Sequence, residues 1–161
     1  MTNRLHIGEH QTSIQVDDGP GEPDTVVLPL GALALARRHF HHQPPTATEL
    51  ELAIEAVEDA LMPLVPRLRG PGTLLTSDDE SIALAAFAGR PTHAAVELDL
   101  DTVERQFNRL ADVANGRPAS SEGLPPRATF AAHLLILREL MHHAARRSLT
   151  VVATAPPAAG P

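Results

Sequence analysis

The chain has 161 residues, 13 of them basic and 20 acidic, and its formal net charge is −7. All the basic residues are arginine, and Lys, Cys, Trp and Tyr are absent, which excludes Schiff-base and P-loop lysines, thiol nucleophiles, disulfides and cysteine-bound metals. The acidic balance also argues against a nucleic-acid partner, because phosphate neutralisation needs a basic face and the arginines are scattered.

The first 40 residues predict three strands and a helix. Leu5 and Ile7, then Ile14 and Val16, alternate with polar residues over 4–7 and 12–16, which is typical of half-buried strands joined by a turn at Gly8. A turn at 17–21 leads to a third strand over 25–28, and residues 31–40 form an Ala- and Leu-rich helix. We therefore expect an antiparallel meander followed by a helix.

The rest of the chain alternates predicted helices and strands. Apolar residues at helical spacing predict a helix that contains residues 50–61. Residues 73–76 form a strand, and the spacing of Ser77 and Glu80 is that of a capping box for a helix that runs to about residue 87. A strand at 96–98, a helix starting at Asp101, a long helix around 130–141 and a strand at 149–154 complete the order.

This order, β-β-β-α-α-β-α-β-α-α-β, predicts a single α/β domain with a mixed sheet flanked by helices. We expect the domain to span residues 1–154 and the Pro- and Ala-rich residues 155–161 to form a flexible tail. No apolar run is long enough for a membrane span and no signal peptide is visible, so we expect a cytoplasmic protein with no membrane partner.

Three segments resemble the second half of the exopolyphosphatase/guanosine-pentaphosphate phosphatase (Ppx/GppA) family. Residues 5–12, Leu-His-Ile-Gly-Glu-His-Gln-Thr, lie where the family has its Asp-Ile-Gly-Gly-Gly-Ser-Thr phosphate loop. Residues 28–32, Leu-Pro-Leu-Gly-Ala, are similar to the family's Leu-x-Leu-Gly-Ala. Residues 123–128, Gly-Leu-Pro-Pro-Arg-Ala, are similar to its Gly-Leu-x-x-x-Arg-Ala-Asp stretch. The resemblance implies a ribonuclease H-like domain, equivalent to half of an actin-like ATPase, that lacks the first catalytic half.

The same resemblance implies a cleft whose phosphate-binding positions have changed. Gly8, Thr12 and Arg127 retain family residues, whereas His6 replaces the loop aspartate and Glu9 and His10 replace loop glycines. The family's Gly-Gly-Thr turn corresponds to residues 78–80, its second aspartate to Thr129 and a later glycine to His133. The implied cleft positions are Gly8, Glu9, His10, Thr12, Asp78, Asp79, Glu80, Arg127 and His133.

Glycines in phosphate loops let backbone N–H groups approach the anion, and carboxylates cannot replace them. We therefore predict a non-catalytic interaction, assembly or regulatory module that forms a homodimer or binds an unidentified protein. The alternative is a polyphosphate or guanosine-pentaphosphate hydrolase that needs a partner chain, or a metal-dependent hydrolase that uses the altered cleft. Arg127 either pairs with a carboxylate near the cleft or is an ordinary arginine in the first turn of a helix, and we favour a structural role.

No cofactor is expected, although one divalent-metal set is conceivable: His6, His10, Asp78 and Asp79. The competing interpretation is that Ser77 and Glu80 cap a helix, that the two aspartates complement its positive end and that the histidines are solvated turn residues. We interpret two other histidine groups as solvated helix ends: residues 39–42 and the pair His142 and His143. No serine has the partners of a hydrolase triad.

Overall fold

The computed structural model describes residues 2–17, 19–90 and 94–153. Its centre is a six-stranded mixed sheet with the order β3-β2-β1-β4-β6-β5. The strands β1, β2 and β3 form the predicted antiparallel meander, β4 and β6 continue parallel to β1, and β5 closes the far edge antiparallel to β6. The strands are β1 Thr2–Ile7, β2 Thr12–Val16, β3 Asp24–Leu28, β4 Thr73–Thr76, β5 Val96–Asp99 and β6 Ser148–Val151.

The helices follow the predicted order, with short additions. The sequence did not indicate two four-residue helices, α3 and α6, or the 3-10 turn Met62–Leu64 that precedes α3. The helices are α1 Ala32–His39, α2 Ala47–Leu61, α3 Val65–Leu68, α4 Asp79–Phe87, α5 Leu100–Ala114, α6 Ala119–Glu122 and α7 Ala128–His143. The predicted α/β class with a mixed sheet flanked by helices is confirmed.

The helices cover one face of the sheet. Every strand alternates buried residues with exposed or half-buried ones, and α7 packs against β1 as well as against α1, α2, α4 and α5. Helix α7 is apolar around most of its circumference, which is typical of a helix buried on all sides. The opposite face of the sheet presents exposed polar side chains, among them Arg4, His6 and Gln15.

The predicted starts of two helices are wrong. Asp78, not Ser77, is the N-cap of α4, and no side chain caps that helix end. Helix α5 begins after Asp99, whose carboxylate accepts a hydrogen bond from the Thr102 N–H at 2.7 Å, rather than at Asp101. In both cases two residue types that favour the N-cap lie within three positions, Ser77 and Asp78 for α4 and Asp99 and Asp101 for α5, so the sequence alone allows either to be the cap.

The last strand ends at Val151, earlier than the predicted 149–154, and the tail predicted for residues 155–161 lies outside the described residues. No helix in the described part of the chain is long and apolar enough to cross a membrane.

Candidate functional site

A cavity of about 360 Å³ lies where β1 and β4 end, beside α1, α4 and α7. Because β1 and β4 are parallel, their carboxyl ends meet at one edge of the sheet, where α/β proteins commonly bind ligands. The cavity brings together most of the residues that the resemblance implied. Those that line it are His6, Gly8, Glu9, Asp78, Asp79, Glu80 and His133, together with Thr129.

The carboxylate of Asp78 forms the centre of this cavity's polar network. Its Oδ1 lies 2.6 Å from Nδ1 of His6, and its Oδ2 accepts a hydrogen bond from the Ile7 N–H at 2.8 Å. The Asp78 side chain therefore does not cap α4, although Asp78 is its N-cap residue, because the carboxylate reaches across to β1 instead. The Ile7 N–H at the end of β1 is therefore already bonded to a carboxylate of the protein itself.

Further backbone donors near the turn between β1 and β2 are also used internally. The Gly8 N–H donates to the Gln11 carbonyl at 2.9 Å. At the start of α1, the Ala32 and Ala34 N–H groups donate to the Gly8 and Glu9 carbonyls, each at 2.9 Å. These bonds satisfy helix-end donors that could otherwise bind an anion.

Gly31 is what allows this close packing of the turn on α1. A Cβ at Gly31 would lie 2.4 Å from the Glu9 carbonyl carbon and 2.4 Å from the His10 nitrogen. Since these are backbone atoms, the turn would have to move to accept any side chain. The retained Leu-Pro-Leu-Gly-Ala segment thus holds the turn against the helix.

His133 and Ser81 form a buried pair beneath the cavity. The Ser81 hydroxyl lies 2.7 Å from Nε2 of His133, and both residues are almost completely buried. Burial lowers the pKa of His133 to about 4. The Asp78 carboxylate partly opposes this decrease, and His6 adds to it. His133 is therefore neutral at physiological pH and adds no positive charge to the cleft.

Arg127 contacts a carboxylate at the border of the cavity. Its Nη2 and Nε donate to Oε1 of Glu80 at 2.8 and 3.1 Å, while Oε2 of Glu80 is buried without a hydrogen-bond partner. The guanidinium is thereby committed to Glu80. The cleft therefore keeps a surplus of acidic groups.

Three implied positions do not line the cavity: Arg127 at its border, Thr12 and His10. The Thr12 hydroxyl is buried and donates to the Leu30 carbonyl at 2.9 Å, which ties β2 to the segment before α1. His10 is exposed, and its Nε2 lies 4.0 Å from the Glu9 carboxylate.

The predicted metal set of His6, His10, Asp78 and Asp79 differs from the group of potential ligands that the structure brings together. In the described segments, the only potential metal ligands that lie within 4.8 Å of one another in a group of three or more are Glu58, Glu139 and His143. The interpretation of His143 as solvated is wrong, since its side chain is 23% exposed and contacts both carboxylates. The spacing Glu139-x-x-x-His143 on one helix was the signal available in the sequence.

Of the histidines at 39–42, His41 and His42 are exposed as predicted, and only His39 is less solvated than expected. Glu49 accepts hydrogen bonds from the His41 N–H and from Nδ1 of His42, the latter at 2.8 Å. His39 is half-buried with its Nε2 unpaired, and burial lowers its pKa. This segment packs against the start of α2.

Comparisons with known proteins give a match in structure only. No protein-family model matches the sequence, and no curated protein matches it. A Ppx/GppA phosphatase of Aquifex aeolicus superposes with a TM-score of 0.74 at 17% identity, over 94% of this chain and 53% of that protein. An exopolyphosphatase of Cytophaga hutchinsonii superposes with a TM-score of 0.70 at 15% identity, over 95% of this chain and 53% of that protein. An exopolyphosphatase-like protein superposes with a TM-score of 0.75 at 12% identity, over 94% of this chain and 55% of that protein.

The chain has the fold of half a Ppx/GppA phosphatase. It spans about half the length of these solved structures, and its order of strands and helices agrees with the second half implied by the sequence. At such low identity the likeness establishes the actin-like ATPase type of fold and leaves activity to be argued from the site itself.

Proposed function

We propose that this domain is a non-catalytic interaction or assembly module with a Ppx/GppA fold. One observation carries the proposal: the Asp78 carboxylate is bonded to the Ile7 N–H and to His6 at the end of β1. A phosphate that approached the end of β1 would meet a fixed negative charge, and the Ile7 and Gly8 N–H groups there are already bonded within the protein.

The charge around the cavity supports the same conclusion. Glu9, Asp79 and Glu80 line it in addition to Asp78, and Arg127 at its border is paired with Glu80. At about 4 Å, each carboxylate–phosphate pair is unfavourable by about 1 to 4 kcal/mol, depending on the local dielectric. Polyphosphate and guanosine pentaphosphate are therefore poor ligands for this cleft as it stands.

A second candidate is a phosphoric-anhydride hydrolase that is active only together with another chain. The cavity at the sheet edge remains open, and the chain spans about half the length of the solved phosphatases it matches. Catalytic groups would then have to come from the second chain, with this domain forming one wall of the shared site.

Phosphate release separates the two candidates. We expect no turnover of polyphosphate or guanosine pentaphosphate by the purified chain with Mg²⁺ or Mn²⁺, and none after addition of native cell extract fractions. Turnover by the chain alone would refute the proposal, whereas turnover that requires an extract fraction would establish the second candidate.

The role of Asp78 is tested by a substitution that frees the donor. Asp78→Gly removes the carboxylate and releases the Ile7 N–H, and glycine is tolerated at an N-cap. We expect this variant to bind tripolyphosphate at least about tenfold more tightly than the wild type, since about 1.4 kcal/mol of repulsion is removed. Asp79→Gly is the matched control, because it removes the same charge but leaves the Ile7 N–H bonded. Equal gains in both variants would mean that only net charge matters.

A further inference from the structure

A second polar cluster lies away from the cleft, where α2 and α7 pack together. It consists of Glu58 near the end of α2, and of Glu139 and His143 in the last turns of α7. Nε2 of His143 lies 3.1 Å from Oε2 of Glu139 and 3.3 Å from Oε1 of Glu58. His133, which lines the cleft, is ten residues earlier on the same helix, which corresponds to about 15 Å along its axis. The cluster is thus distinct from the cleft.

Hydrogen bonding alone leaves this cluster incompletely satisfied. Two carboxylate oxygens converge on one imidazole nitrogen, and that nitrogen carries at most one hydrogen. Only one of the two oxygens can therefore receive a good hydrogen bond from His143. Glu139 is 99% buried, and its other oxygen pairs with Arg138 at 2.5 Å, so water cannot readily solvate it.

A divalent cation would satisfy all three groups at once. Zinc binds nitrogen and carboxylate oxygen at about 2.0 to 2.2 Å, so the ligand atoms of a tetrahedral site lie about 3.3 Å apart. The separations of 3.1 and 3.3 Å in this cluster match that value. The mixture of imidazole and carboxylate ligands favours a first-row transition ion over Mg²⁺ or Ca²⁺.

The surrounding charges also favour a cation. His143 is the last residue of α7, where the aligned peptide dipoles give the helix end a partial negative charge. The Arg69 guanidinium partly offsets this charge, since its Nε donates to the His143 carbonyl at 3.4 Å. The two carboxylates contribute two further negative charges, and the Arg138 guanidinium offsets one of them on the side away from His143.

We propose that Glu58, Glu139 and His143 form a site for a divalent transition-metal ion, with Zn²⁺ as the ion that the ligands fit best. The site joins α2 to α7 and leaves a fourth position for water, because Glu58 and His143 are partly exposed. Its expected role is to fix these two helices together, and it does not depend on what the cleft binds.

The test uses the full chain without a histidine tag, stripped of metal and titrated with ZnCl₂. We expect about one equivalent of Zn²⁺ to bind and the Tm to rise by about 8 °C at a free Zn²⁺ concentration a hundredfold above Kd. Glu58→Gln and His143→Gln should each weaken Zn²⁺ binding at least about tenfold, and Mg²⁺ should give no comparable shift.

The neighbouring pair His142 and Glu104 provides matched controls. Nδ1 of His142 lies 3.6 Å from Oε1 of Glu104, and His142 occupies the position before His143 on α7. His142→Gln and Glu104→Gln should therefore bind Zn²⁺ as the wild type does. The proposal is overturned if the wild type retains less than about a tenth of an equivalent, or if His143→Gln binds Zn²⁺ as tightly as His142→Gln. The second result would assign the binding to other surface histidines.

Discussion

At the scale of single residues, the role of each side chain in the cleft depends on what it contacts rather than on its residue type. Asp78 is a common helix-cap residue, but here it bonds to His6 and to the Ile7 N–H. His133 stands where the resemblance implies a glycine, and it is buried against the Ser81 hydroxyl. Both contacts join residues more than 50 positions apart, so each depends on the folded sheet and helices.

His133 should make the protein less stable in mild acid. Its pKa is about 4 in the folded state against 6.5 for an ordinary histidine, chiefly because burial disfavours the charged ring. Below pH 6.5 the unfolded chain takes up a proton that the folded chain does not. The free energy of unfolding therefore falls as the pH drops from about 6.5 to about 4, by up to about 3 kcal/mol in total.

Urea unfolding at several pH values measures this effect in the wild type and in a His133→Leu/Ser81→Ala variant. The variant lacks the buried imidazole and its hydroxyl partner, so its free energy of unfolding should fall less steeply over this range. His142→Gln, at an exposed position, should keep the wild-type slope. The pKa of His39 is also lowered and contributes in the same direction. Because His39 is present in both the wild type and the double variant, the difference between their slopes reports on His133. Identical slopes would show that His133 does not carry the effect.

At the scale of elements, the start of α2 is the best-capped helix end. The Thr46 hydroxyl accepts from the Glu49 N–H at 3.2 Å, and the Glu49 carboxylate accepts from the Thr46 N–H at 3.1 Å. Glu49 also receives the hydrogen bonds from His41 and His42 that hold the preceding segment. Burial by itself would raise the pKa of Glu49, but these hydrogen bonds lower it to about 2.

Replacing this carboxylate should cost measurable stability. Glu49→Gln keeps the shape but removes the charge that accepts several hydrogen bonds, and we expect a loss of about 2 kcal/mol at pH 7. Glu51→Gln, at an exposed position of the same helix, should change stability by less than about 0.5 kcal/mol. Chemical denaturation of the two variants provides the comparison.

The pH dependence gives a second check on Glu49. A carboxylate with a lowered pKa stabilises the fold fully above its ordinary value of 4.5 and loses that effect as the pH falls towards 2. The difference between wild type and Glu49→Gln should therefore shrink between pH 4.5 and 2. A constant difference would indicate lost packing rather than lost charge.

At the scale of the whole molecule, the sheet has one face covered by helices and two open edges, β3 and β5. A large exposed apolar surface would favour assembly with a second chain. Among the described residues, the exposed large apolar side chains are Val27, Leu52 and Met62. These are single side chains on different elements, so an interface would also have to use polar surface.

The proposed homodimer is tested by light scattering at tens of micromolar. We expect the mass of two chains, and Val27→Lys on the edge strand β3 or Leu52→Lys on α2 should then shift the protein towards the monomer and show which element pairs. A strict monomer would remove the homodimer. Affinity purification from native cells would then decide whether a different protein is bound.

The sequence by itself determined the order of the main strands and helices and, through three short segments, the fold. These features depend on local periodicity: apolar residues alternate along β1 and β2, and they surround α7 on nearly all sides. The acidic character of the cleft was also readable, because the resemblance places Glu9, Asp78, Asp79 and Glu80 there and the structure brings them to one cavity.

Only the tertiary structure decided which of these residues act together. His6 and Asp78 are 72 positions apart, and Glu58 and His143 are 85 apart, and each pair meets only after the helices pack on the sheet. Whether Asp78 caps its own helix or bonds across to β1 is a competition between a local and a distant donor. Local sequence shows the first donor and not the second, and for the same reason it does not show that Glu58 on α2 meets Glu139 and His143 on α7.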